Sequence, residues 1–191
     1  MAPPLRSDPP AGHLCPWWLA YTFDNPLRKL VHNPRKILAP WVKEGMTAVD
    51  VGCGMGFFSI GMARMVGDSG RVLAVDLQQQ MLDITCKRAE RTGVAHRITA
   101  HRCESQRLGV NQPADFILAF WMVHETPDAG NFFSQLRACL RPSGKILVAE
   151  PRMHVSKTTF ENTMNAAEAV GLQLTGKPRI RFSLTALFER S

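Results

Sequence analysis

The chain has 191 residues, of which 45% are hydrophobic and 20% charged, and this composition is typical of one globular domain with a complete core. No apolar run approaches the roughly 18 residues that a membrane-spanning helix needs, and the N-terminus lacks the apolar stretch of a secretory signal. The formal net charge is +7, but the cations are scattered, which favours a solvated basic surface over a nucleic-acid site. We therefore expect a cytoplasmic protein whose partner is neither a nucleic acid nor a membrane.

The five cysteines are odd in number and irregularly spaced, and no C-x-x-C pair occurs. This pattern indicates reduced thiols rather than a disulfide framework, and it disfavours a structural zinc site. Thiolate and imidazole groups suit soft metals, but the candidate ligands lie on distant segments without a defining spacing. They are His13, Cys15, His124, Glu125 and His154. We predict no metal.

Residues 13–46 are richer in aromatic side chains than the rest of the chain. Within them, Asn33 and Pro34 predict a helix start, as N-cap and first helical residue. The helix is predicted to run to about Lys43, with a kink at Pro40.

From residue 47 onward, β-prone runs alternate with amphipathic runs. The predicted strands are 47–51, 71–76, 97–102, 114–120, 145–150, 172–175 and 180–188. The predicted helices are 56–66, 79–92, 128–140 and 157–170. This alternation indicates βαβ units in an α/β fold with a doubly wound, mostly parallel sheet. Because such sheets bind ligands beyond the carboxyl ends of their strands, we expect the functional residues there.

The loop after the first predicted strand holds three alternating glycines, Gly52, Gly54 and Gly56. They allow a tight turn and a close approach of the backbone to a ligand. A dinucleotide fingerprint reads G-x-G-x-x-G and cradles a pyrophosphate, but its third glycine is replaced here by Phe57. Asp50 would meet a pyrophosphate unfavourably and suits the cationic end of a sulfonium cofactor. The spacing therefore favours a ligand without a pyrophosphate.

Four segments carry motifs that occur in a defined order. They are the glycine loop with its strand (49–56), an acidic segment (73–76), the fourth predicted strand (114–119) and the turn before the fifth (140–145). Together they resemble the class I S-adenosylmethionine-dependent methyltransferases over about residues 45–150. The resemblance implies a Rossmann-like sheet of seven strands with the last one antiparallel, and S-adenosylmethionine as the methyl donor.

The resemblance also implies roles for individual residues. Asp50 and the three glycines would surround the methionine portion of the cofactor, and Asp76 would accept both ribose hydroxyls, although NAD proteins carry the same acid. Leu77 would lie beside the adenine. The usual aspartate after the third strand is missing, so Glu104 or the Cys103 backbone would contact the adenine amino group. The predicted cofactor site is Asp50, Gly52, Cys53, Gly54, Gly56, Phe57, Asp76, Leu77, Cys103, Glu104 and Phe120.

Methyl transfer from a sulfonium is a direct displacement, for which the protein aligns the reactants and excludes water. A general base is needed only when the acceptor must lose a proton. His124 and Glu125 follow the fourth predicted strand, where His124 would be the base and Glu125 its orienting partner or a substrate contact; a pair that caps the next helix is the alternative. Glu150 and His154 follow the fifth strand and would face the same mouth, unless Glu150 pairs with Arg152.

Residues 13–191 are predicted to form a single methyltransferase domain after a proline-rich flexible tail, 1–12. Since the family usually places its N-terminal segment over the active site, residues 13–46 are predicted to be a helical lid, with packing against the core as the alternative. The predicted substrate contacts are Trp17, Trp18, Tyr21, Trp121, Glu150 and His154.

These observations predict an S-adenosylmethionine-dependent methyltransferase that acts on a small molecule and releases S-adenosylhomocysteine. Little of the chain remains outside the core for a nucleic-acid or protein recognition domain. An NAD-dependent oxidoreductase is one alternative, disfavoured by Phe57 and Asp50. A non-catalytic module that keeps the cofactor pocket is another.

Overall fold

A computed structural model of the chain describes residues 26–190. The seven strands of this part are β1 (Thr47–Val51), β2 (Arg71–Asp76), β3 (Ile98–Arg102), β4 (Ala114–Phe120), β5 (Leu140–Pro151), β6 (Leu172–Gly176) and β7 (Ser183–Arg190). Its α-helices are α1 (Pro26–Val31), α2 (Pro34–Leu38), α3 (Phe57–Val66), α4 (Gln79–Arg91), α5 (Ala129–Cys139) and α6 (Lys157–Ala169). The predicted tail and the aromatic residues Trp17, Trp18 and Tyr21 lie outside the described residues.

The strands form one sheet in the order β3-β2-β1-β4-β5-β7-β6, in which β7 alone runs antiparallel to its neighbours. The predicted doubly wound sheet with an antiparallel last strand is confirmed. Strand order reverses between β1 and β4, and ligands of such sheets bind at this reversal. We call the edge where the six parallel strands end the carboxyl edge; β7 begins there, because Ser183 pairs with Pro151.

Helices cover both faces of the sheet because its central strands are apolar on both sides. In β4, Phe116 and Leu118 pack on the side of α3, whereas Ile117 and Ala119 pack on the side of α5 and α6. The alternation follows from the two-residue period of a strand. Within residues 26–190, no helix combines the length and the apolar character needed to cross a membrane.

The helix that begins at Pro34 is shorter than predicted. Asn33 caps it, since its side-chain oxygen accepts the backbone N–H of Lys36 at 3.2 Å. The helix ends at Leu38 instead of continuing to Lys43. Pro40 has no N–H to donate to the preceding turn, and the chain continues in turns that close on the Leu38 carbonyl.

Two strands begin more than one residue away from the predicted start. Strand β5 spans Leu140–Pro151 rather than 145–150, because Leu140 already pairs with Ala114 ahead of an irregularity in the β4–β5 ladder. Strand β7 begins at Ser183 rather than at residue 180. The connection before it ends at Phe182, whose φ of 60° is left-handed and marks a sharp turn into the strand.

Candidate active site

The glycine loop lies at the carboxyl edge between β1 and α3. Gly52, Gly54 and Gly56 all have left-handed φ values, of 69°, 53° and 76°, which glycine adopts without strain. A Cβ at Gly52 would come within 2.8 Å of the Met122 side chain, and one at Gly56 within 2.7 Å of Thr85. A Cβ at Gly54 would meet no atom within 4 Å. Gly54 therefore faces open space, where a ligand can approach the backbone.

Asp76 ends β2 beside this opening and holds the loop in place. Its Oδ2 accepts the Gly54 N–H at 2.8 Å and its Oδ1 accepts the Gln78 N–H at 2.9 Å. The side chain is buried, and burial raises the pKa of its carboxyl. Since each carboxylate oxygen has about two acceptor positions, Asp76 can accept further hydrogen bonds from a ligand.

Asp50, near the end of β1, is only 2% exposed. The Ser59 hydroxyl in α3 donates to its Oδ2 at 2.5 Å. Burial raises the pKa of the Asp50 carboxyl to about 7, although the Ser59 hydrogen bond and the charge of Arg28 oppose the rise. Asp50 thus lies behind the glycine loop, where it fixes the start of α3.

Helix α1 lies across the opening at the carboxyl edge between the glycine loop and β4, which we call the mouth of the site. At one end, the Arg28 guanidinium lies 4.6 Å from the centroid of the Phe57 ring. At the other end, buried His32 donates from Nε2 to the Arg181 carbonyl at 2.8 Å. The His32 ring also contacts Trp121 edge-on, with centroids 5.0 Å apart. No pattern in the sequence indicated His32 or Arg28 as part of the site.

The polar centre of the mouth is His124, which follows β4 in a short 3₁₀ turn, Val123–Glu125. Its Nδ1 lies 2.5 Å from Oε2 of Glu150, at the end of β5. Glu150 is 1% exposed and also accepts the backbone N–H groups of Met122, Val123 and His124 at 3.0–3.2 Å. This hydrogen bond from His124 to Glu150 raises the pKa of the imidazole.

The structure corrects the predicted pairing of these side chains. The carboxylate that orients His124 is Glu150, because Glu125 Oε1 lies 4.0 Å from the imidazole Nε2. Buried Glu150 sits behind the histidine and is not placed for the predicted substrate contact. Its partner is also not Arg152, which donates from Nε to the Ser183 carbonyl at 2.9 Å. The predicted companion of Glu150, His154, is exposed.

Two predicted site residues at the end of β4 are aromatic. Phe120 is 6% exposed and packs on Phe58 of α3, with ring centroids 4.4 Å apart, so it forms the floor beneath the mouth. Trp121 is half-buried with a left-handed φ of 61°, and its indole N–H donates to the Ser183 hydroxyl at 2.9 Å. Such strain in a tryptophan persists only where the surroundings hold it.

Four further predicted cofactor residues lie along the glycine loop and β2–β3. Cys53 is buried, and burial raises the pKa of its thiol well above the ordinary value, as expected of a small apolar filler. Leu77 is half-buried beside Asp76. The Cys103 backbone N–H donates to the Asp76 carbonyl at 3.0 Å. Glu104 is exposed in a backbone bridge to Arg107.

Comparison with known proteins identifies the family. A family model described as methyltransferase domain matches residues 48–144, from β1 to the beginning of β5. The matched region contains the glycine loop, Asp76 and His124. It ends before Glu150, so the partner of the histidine lies outside the matched part.

Two curated relatives and one solved structure are similar to the chain. It is 30% identical over 110 residues to a demethylmenaquinone methyltransferase of Lactobacillus johnsonii, covering 57% of this chain and 45% of the relative. It is 24% identical over 131 residues to a probable cobalt-precorrin-6B C(15)-methyltransferase of Saccharolobus solfataricus, covering 68% and 61%. A SAM-dependent methyltransferase from Aquifex aeolicus superposes with a TM-score of 0.81 at 21% identity, covering 93% of this chain and 100% of that one.

The chain spans about half the length of the first of these relatives. The solved structure has the same fold as the described residues, and the family model covers the glycine loop, Asp76 and His124. The chain therefore belongs to the methyltransferase domain family.

Proposed function

We propose that this chain binds S-adenosylmethionine at the glycine loop and transfers its methyl group to a small-molecule acceptor, with His124 as the general base. The observation that carries the proposal is the 2.5 Å contact between His124 Nδ1 and buried Glu150 at the mouth of the site. Family membership supports methyl transfer over the alternative of an NAD-dependent oxidoreductase.

The residues around the glycine loop suit this cofactor. Open space above Gly54 allows a ligand to lie against the loop backbone. The Asp76 carboxylate beside it has free acceptor positions for ribose hydroxyls. Behind the loop lies the buried Asp50 carboxyl, whose pKa is about 7. When it is ionised, its negative charge would stabilise a cationic sulfonium and ammonium. The space above Gly54 and the Asp76 carboxylate suit any nucleoside ligand, whereas the charge of Asp50 supports a cationic ligand over a pyrophosphate.

His124 is positioned to accept a proton at its Nε2. Glu150 is held by three backbone N–H groups and accepts the Nδ1 hydrogen, so the neutral imidazole carries its lone pair on Nε2. The raised pKa makes His124 a stronger base. Its side chain is 26% exposed, and Glu125 lies 4.0 Å from the Nε2 atom, where its charge would stabilise the imidazolium that forms.

When bound, S-adenosylmethionine supplies an electrophilic methyl group on sulfur. The role of the protein is to align the acceptor atom with that methyl group and to remove the acceptor proton at His124. An acidic hydroxyl, amine or activated carbon of the acceptor would meet this requirement. The names of both relatives identify small-molecule acceptors for those proteins, which supports a small-molecule acceptor here.

We also propose that residues 13–46 cover the site within a single domain formed by residues 13–191. The described part of that segment supports this role, since α1 bridges the mouth from Phe57 to Arg181. The same proposal includes contacts of Trp17, Trp18 and Tyr21 with the substrate.

Calorimetry with S-adenosylhomocysteine and NADH tests the cofactor. We expect micromolar binding of the first and none of the second; tight NADH binding with no response to S-adenosylhomocysteine would overturn the proposal. Methyl transfer from labelled S-adenosylmethionine to pools of small molecules then tests the reaction. His124→Gln should lower the rate at least about 100-fold while cofactor binding is kept, and His96→Gln, exposed at the amino end of β3, is the matched control. Cofactor binding without any methyl transfer would favour a non-catalytic module, and an unchanged rate in His124→Gln would favour a reaction without a base.

A further inference from the structure

Among the side chains that the structure describes, the large apolar ones that are exposed lie close to the mouth. They are Leu30 in α1, Met153 after β5 and Phe182 before β7, with 80%, 86% and 52% of their surface exposed. Single exposed apolar residues are common on protein surfaces. Three on segments that meet at one edge of the sheet call for an explanation.

Hydrogen bonds join these three segments into one continuous rim. The His32 ring, two residues after Leu30, donates to the Arg181 carbonyl at 2.8 Å. The Arg152 backbone N–H donates to the Phe182 carbonyl at 3.0 Å. We define the mouth rim as Leu30, residues 151–154 and residues 177–182.

The mouth rim is also strongly basic. Residues 151–154 and 177–182 contain four exposed cations and neither aspartate nor glutamate. The cations are Arg152, Lys177, Arg179 and Arg181. The Arg181 guanidinium lies 5.1 Å from the centroid of the Phe182 ring, so charged and apolar groups of the rim are interleaved.

We propose that the mouth rim docks on an anionic lipid surface. Apolar side chains that project from a ring of cations match the boundary between acyl chains and anionic headgroups, where both kinds of group are stabilised. A nucleic acid would match the cations but leave Leu30 and Met153 in water. A second copy of the same rim would bring eight cations together, which charge repulsion opposes.

The surface differs from what the sequence led us to expect. We expected no membrane partner because the sequence has no apolar run long enough to span a bilayer, and none of the described helices is long and apolar enough to do so. Docking requires only a few projecting side chains. Leu30 lies more than 120 positions before Met153, and Phe182 lies 29 positions after it, so no local pattern of residues could show them.

Docking at the rim would bring the mouth to the lipid surface. Trp121 ties the floor of the mouth to the rim, because its indole N–H donates to the Ser183 hydroxyl beside Phe182. An acceptor dissolved in the bilayer could then enter beside His124 without crossing water. This consequence rests on the proposed function, whereas docking itself does not.

Co-sedimentation of the full chain with vesicles tests the docking. Vesicles of phosphatidylcholine with 30% phosphatidylserine should bind the protein, and pure phosphatidylcholine vesicles should bind it at least about tenfold more weakly. Lys177→Gln with Arg179→Gln should weaken binding to the anionic vesicles about 25-fold, since each cation near an anionic surface contributes about fivefold. Phe182→Ser with Met153→Ser should weaken it about tenfold or more.

The matched control removes two cations from the opposite edge of the sheet. Arg64→Gln with Arg91→Gln makes the same change of net charge in the last turns of α3 and α4, and binding should change less than twofold. If the rim and control double variants lost vesicle binding equally, the attraction would be unspecific and the proposal would be overturned. Equal binding of the protein to anionic and pure phosphatidylcholine vesicles would also overturn it. No vesicle binding, with self-association or capture of a soluble partner through the rim, would also overturn it.

Folding and function are checked separately from docking. The rim substitutions are at exposed positions, and unchanged S-adenosylhomocysteine binding would show that each variant is folded. Sedimentation needs no turnover. Vesicle binding without any methyl transfer would therefore refute the proposed function and leave the docking surface, and the reverse result would refute docking alone.

Discussion

Asp50 offers a sharp test of how burial controls this site. Its carboxyl is 2% exposed, and burial raises its pKa from the ordinary 3.8 to about 7. The folded state therefore holds a proton that the unfolded chain has released between about pH 4 and pH 7. The contribution of Asp50 to stability is fully present below pH 4 and is lost as the pH rises through 7.

The size of the effect follows from the two pKa values. Each unit of difference corresponds to about 1.4 kcal/mol, so Asp50 lowers the free energy of unfolding by about 2 kcal/mol at pH 5.5 and by about 4 kcal/mol at pH 8. The amide introduced by Asp50→Asn would keep an oxygen that accepts the Ser59 hydroxyl and would not titrate. The stability of Asp50→Asn relative to the wild type should therefore increase by about 2 kcal/mol between these pH values.

Urea unfolding of both proteins at pH 5.5 and pH 8 measures this difference. Comparing the change with pH removes the constant cost or gain of the new amide, and Asp83→Asn, an exposed carboxylate on α4, is the control. The reasoning is refuted if the advantage of Asp50→Asn is the same at both pH values or shrinks at pH 8. At pH 8, where Asp50 of the wild type is ionised, the same variant should bind S-adenosylmethionine at least about tenfold more weakly, because it lacks the negative charge behind the loop.

Three further predictions concern the loop, the base and the lid. Gly56→Ala should lower stability by about 3 kcal/mol, since its methyl group combines left-handed strain with a clash. Gly54→Ala should lower stability by only about 1 kcal/mol, yet it should weaken S-adenosylhomocysteine binding more than Gly56→Ala does. Equal unfolding midpoints of the two variants in urea would contradict this prediction. The methyl-transfer rate should rise with pH around a midpoint above 6.5 as His124 loses its proton, and Glu150→Gln should move that midpoint to lower pH and slow the reaction about tenfold or more. An unmoved midpoint would show that the carboxylate does not control the imidazole. His32→Phe should speed hydrogen exchange in α1, and unchanged exchange would mean that its ring does not hold the helix over the mouth.

The sequence by itself determined the fold class and the family. Strand and helix periodicity, the alternating glycines and an acid at the end of β2 are local patterns, because each depends on neighbours within one turn or one strand. Strands β1, β2 and β4 occur at the predicted residues. The left-handed φ values of Gly52, Gly54 and Gly56 follow from the same local chemistry, and so does the asparagine cap at Asn33.

Only the tertiary structure decided which side chains meet. Glu150 and His124 are 26 positions apart and touch because β4 and β5 are neighbours that end at the same edge, whereas the sequence favoured the adjacent Glu125. His32 and Arg181 are 149 positions apart, a separation at which no periodicity carries information. The pairing of His124 with Glu150, the contacts of α1 on two sides of the site and the apolar rim are properties of packing. Burial and hydrogen bonding across the sheet select partners that sequence proximity does not.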